Sequence, residues 1–67
     1  SIKDRAVNLR SCAVNLSLLT KSTRSQIMDK VKEETGVDLD KVFSVEEIET
    51  ASNWMLSFRS NLPDKNE

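Results

Sequence analysis

The 67-residue sequence contains no histidine and no tyrosine, and it has a single cysteine, a single glycine and a single proline. Without histidine, the commonest general base of enzymes is missing. One cysteine cannot close an internal disulfide bond, no group of residues has the spacing of zinc ligands, and one glycine cannot build a phosphate-binding loop. We therefore expect a protein that is not an enzyme and that holds no metal, cofactor or small-molecule ligand.

Long apolar runs are missing as well. No stretch approaches the roughly 20 apolar residues that a membrane span needs, and the sequence shows no signal peptide. The lack of a disulfide pair fits a reducing compartment. We therefore expect a cytoplasmic protein that has no membrane partner.

The scarcity of glycine and proline and the lack of strand-type alternation favour helices, and three segments repeat apolar residues at a helical period. The first segment covers residues 2–19, and its stripe predicts a helix with one face in the core. The stripe consists of Ile2, Ala6, Leu9, Ala13 and Leu16, widened by Cys12 and Leu19. We interpret Cys12 as a small, buried hydrophobic side chain.

The second helix is predicted to begin after Thr23, because Thr23 and Gln26 have the spacing of a capping box. We expect it to end at Gly36, which adopts the left-handed backbone of a helix terminus without steric cost. Its short apolar face consists of Ile27, Met28 and Val31. Residues 38–42, which follow, predict one short helical turn capped by Asp38.

The third helix has the clearest start signal in the chain. Ser44 is the predicted N-cap with Glu47 three residues later, and the pair Phe43 and Ile48 matches a hydrophobic staple. Pro63 should stop the helix. Its apolar stripe consists of Ile48, Ala51, Met55, Phe58 and Leu62.

These elements predict an all-α fold, namely a small three- to four-helix bundle in which the short turn would be the fourth helix. We expect residues 1–62 to form one domain and residues 63–67 to form a flexible C-terminal tail.

The two halves of the chain have opposite charge. Residues 1–32 carry seven cations and two carboxylates, whereas residues 33–67 carry three cations and nine carboxylates. A basic half can bind phosphates, but the two halves can also attract each other within the fold. If the first interpretation is right, DNA binding should be weak, salt-dependent and not sequence-specific. The candidate nucleic-acid-binding residues are Arg5, Arg10, Lys21, Arg24, Lys30 and Lys32.

The first helix also has a second apolar line, formed by Val7, Val14 and Leu18, almost opposite its core stripe. A helix that is apolar on two sides is either central in a bundle or binds a partner, which includes a second copy of the same chain. Trp54 is either a residue at the edge of the core or an anchor for a partner. Val7, Val14, Leu18 and Trp54 are therefore the candidate partner-binding residues.

The succession of segments resembles a known family. DRAVNLRSCAVNLSLL, TRSQIMDKVKEETG, VDLDKVF and SVEEIETASNWMLSF together resemble the small proteins encoded beside the UvsW helicase in T4-type phages. The resemblance implies a dynamic four-helix bundle, likened to the nucleic-acid-binding module of RecQ-type helicases, without catalytic residues. RecQ-associated modules usually have glycine-containing helix joints, whereas Gly36 is the single glycine of this chain.

VDLDKVF and SVEEIETASNWM also resemble the C-terminal helical domains of phage annealing recombinases, which bind protein partners. The resemblances together imply a non-catalytic accessory module in phage DNA recombination, repair or replication, located in the host cytoplasm. Its expected function is nucleic-acid binding alongside a helicase or recombination protein. The alternative is a protein–protein adaptor that uses the exposed apolar face of the first helix.

Overall fold

Three α-helices make up the fold in the computed structural model, which describes residues 1–63. They are α1 (Ile2–Thr20), α2 (Arg24–Thr35) and α3 (Val45–Ser60), and each packs against the other two. Residues 1–63 contain no β-strand. The predicted all-α class is confirmed, and residues 1–63 form three helices, the lower number of the predicted range. The predicted tail lies outside the described residues from position 64 onward.

The joint between α1 and α2 is only three residues long and satisfies both helix ends. Lys21 adopts a left-handed backbone (φ 57°), and the Ser22 N–H donates to the Ser17 carbonyl at 2.9 Å, as in a Schellman motif. The Gln26 N–H then donates to Thr23 Oγ1 at 3.1 Å, and the Thr23 N–H donates to Gln26 Oε1 at 2.9 Å. The predicted capping box at Thr23 is therefore confirmed.

Residues 37–43 form a loop, and the predicted helical turn at residues 38–42 is a single hydrogen-bonded turn that does not become a fourth helix. Gly36 ends α2 with φ 77°, as predicted, and the Lys41 N–H donates to the Asp38 carbonyl at 2.9 Å to close a turn. The side chain of Asp38 accepts from the Asp40 N–H at 2.9 Å, so Asp38 caps this turn and no helix follows. The loop places Val37 and Leu39 in the core. Leu39 is fully buried, although no periodic stripe contains it.

The start of α3 confirms one prediction and contradicts another. Ser44 Oγ accepts from the Glu47 N–H at 3.2 Å, so Ser44 is the N-cap. The Glu47 carboxylate accepts from the Phe43 N–H at 2.8 Å, while 77% of Phe43 is exposed. The predicted staple between Phe43 and Ile48 is therefore wrong, because the loop contributes Val37 and Leu39 to the core, with Val42 partly buried against it, and leaves Phe43 in solvent.

The core lies between the three helices and the 37–43 loop. Its buried cluster consists of Leu9, Ala13, Leu16, Ile27, Met28, Val31, Val37, Leu39, Ile48, Ala51 and Met55. Two predicted members of the α1 stripe are exposed instead, namely Ile2 and Cys12. Ile2 is the first residue of the longest helix, and Cys12 lies about 100° around α1 from the fully buried Ala13, at the edge of the stripe.

Shortening Leu39 should destabilise the protein severely. We expect Leu39→Ala to lower the free energy of unfolding by about 2–4 kcal/mol, because it leaves a cavity where a loop side chain fills the core. The matched control is Phe43→Ala in the same loop, which should change it by less than about 0.5 kcal/mol. Urea unfolding followed by circular dichroism measures both. Similar losses for the two variants would contradict the assignment of Leu39 to the core.

The exposure of Cys12 predicts a thiol that is accessible in the native protein. Ellman's reagent should react with it completely without denaturant, and Cys12→Ser should change the free energy of unfolding by less than about 0.5 kcal/mol. A reaction that proceeds only as the protein unfolds would show that Cys12 is buried, as its place in the apolar stripe first indicated.

Candidate binding surfaces

Arg10 was a candidate for contacting nucleic acid, and the structure gives it an internal partner. Its Nη1 donates to the carbonyl oxygen of Leu39 at 3.1 Å, and its side chain is half-buried. This bond joins the middle of α1 to the loop between α2 and α3. Arg10 therefore fixes the segment that inserts Leu39 into the core, a role that its place in the sequence did not indicate.

Arg24 has an acidic partner. Its Nη2 lies 3.1 Å from Asp40 Oδ1, in an exposed ion pair that joins the basic half of the chain to the acidic half. The pair lies at a polar depression of about 190 Å³ lined by Arg24, Ser25, Met28, Asp29, Lys32, Asp38 and Asp40. Three carboxylates face two cations there, so the depression does not favour a phosphate.

The other four candidate cations are exposed but do not share one face. Arg5 on α1 and Lys21, the residue that follows α1, are 16 positions apart, which is about 24 Å along a helix axis. Lys30 and Lys32 are two residues apart on α2, and residues at this spacing point to opposite flanks of a helix. The surplus of positive charge in residues 1–32 is therefore dispersed over the surface.

The second apolar line of α1 is exposed along its whole length. Val7 is 49% exposed, Val14 38% and Leu18 71%, and we call these three residues the outer line. They lie within about 40° of one another around the helix and extend over about 17 Å of its axis. Valine has a lower helix propensity than alanine or leucine, so helix formation does not favour valine at these positions. The fold itself therefore gives no reason for this line to be apolar.

A second apolar surface lies between α1 and α3. This groove has a volume of about 120 Å³ and is lined by Cys12, Asn15, Leu16, Ser52, Met55, Leu56 and Arg59. Leu56 is 63% exposed beside it. In the sequence Leu56 lies off the main stripe of α3 and Cys12 belongs to the stripe of α1, so only the packing of the two helices brings them together.

Trp54 lies at the edge of the core. Its ring stacks on that of Phe58, with centroids 5.0 Å apart and planes 11° from parallel, and both side chains are partly buried against the core cluster. This packing agrees with the first of the two interpretations of Trp54. The residue is on α3, whereas the outer line is on α1.

The interior of the described chain offers no chemistry of its own. Every buried side-chain nitrogen or oxygen of residues 1–63 has a hydrogen-bond partner, and buried Ser17 donates to the Val14 carbonyl at 2.6 Å. The same residues contain no group of three His, Cys, Asp or Glu side chains that could hold a metal ion. None of the three helices is long and apolar enough to cross a bilayer. The surfaces are therefore the candidate sites.

Comparison with known proteins identifies no relative of this chain. No protein-family model, no curated protein and no solved structure matches the chain. The resemblance to the phage families therefore stays a hypothesis, and the candidate sites rest on the geometry of α1, of the α1/α3 groove and of the exposed cations.

Proposed function

We propose that this protein is a non-catalytic adaptor module whose outer line docks a helical segment of another protein. The observation that carries the proposal is the exposure of Val7, Val14 and Leu18 on a single face of α1. Single exposed apolar residues are normal on protein surfaces. Three in a row on one exposed face of α1 indicate a surface that is covered in a complex.

The spacing of the outer line fits a helix better than an extended peptide. Val14 follows Val7 by seven residues and Leu18 follows Val14 by four, which are the steps at which helices present side chains to each other. A partner helix with apolar residues at steps of three and four can place them between these side chains. An extended strand needs a sheet edge, and residues 1–63 contain no strand.

The size of the outer line indicates a transient complex. Full burial of an exposed valine or leucine side chain contributes about 1.5–3 kcal/mol, and these three are already partly covered. Association costs about 4 kcal/mol or more in lost translational and rotational freedom. The line thus supports weak binding by itself, and stronger binding needs additional contacts around it.

The resemblance to phage proteins would place the partner protein in a helicase or recombination system acting on DNA.

Direct nucleic-acid binding is the second candidate function, supported by the exposure of Arg5, Lys21, Lys30 and Lys32. We rank it second because these cations are dispersed, while Arg10 and Arg24 have partners within the protein.

Polar substitutions in the outer line should weaken partner binding without unfolding the protein. The probe is a helical peptide selected from a displayed library of amphipathic helices on the wild-type protein. We expect Val14→Asp and Leu18→Ser each to weaken the binding of this peptide at least about tenfold, because each removes apolar area from the outer line. The matched control is Asn8→Asp, which adds the same charge to α1 away from the line. Calorimetry measures affinity, and circular dichroism verifies the fold.

Two outcomes would contradict the adaptor proposal. One is that peptide binding survives both substitutions in the outer line. The other is that single-stranded or branched DNA at low salt shifts the amide NMR signals of Arg5, Lys21, Lys30 and Lys32, while no selected peptide shifts those of the outer line. The second outcome would favour the nucleic-acid function.

A further inference from the structure

We draw no further inference here: the strongest candidate, the apolar groove between α1 and α3 that is lined by Cys12, Leu56 and Arg59, is an unpartnered surface, and nothing in the structure shows what covers it.

Discussion

The insertion of the 37–43 loop into the core is the constraint on which the rest of the structure depends. A domain of about 60 residues buries only about 60% of the surface of its unfolded chain, so each buried side chain matters. Leu39 and Val31 are the largest fully buried side chains, and Leu39 comes from a loop. The Leu39 carbonyl accepts from Arg10, so the point at which the loop enters the core is also fixed to α1.

The same loop provides partners for two of the chain's cations. Its Asp40 pairs with Arg24, and its Leu39 carbonyl binds Arg10, so two cations from the basic half are directed toward the segment that follows α2. Part of the positive charge of the first half therefore forms contacts within the fold. The outer line of α1, by contrast, has no structural task, because its apolar side chains are exposed and lie outside the core cluster. This contrast is why we rank protein binding above nucleic-acid binding.

The predictions that succeeded concern interactions between residues close in sequence. The caps at Thr23 and Ser44 depend on a hydroxyl that reaches a backbone N–H three residues ahead. Gly36 ends α2 because its own backbone tolerates the left-handed region. The spacing of Val7, Val14 and Leu18 places them away from the core stripe through helix geometry alone.

The predictions that failed concern residues whose environment is built by distant parts of the chain. No local pattern reveals that Leu39 fills the core or that Arg10, 29 residues earlier in the chain, binds its carbonyl. Likewise, Cys12 satisfies the periodicity of a buried stripe, but the packing of α3 leaves it beside an open groove. The sequence by itself thus determined the helices, their ends and the outer line, because helical hydrogen bonds and caps join residues within about five positions. Tertiary structure alone decided which cations stay free and which apolar residues are buried, because both depend on the loop docking across all three helices.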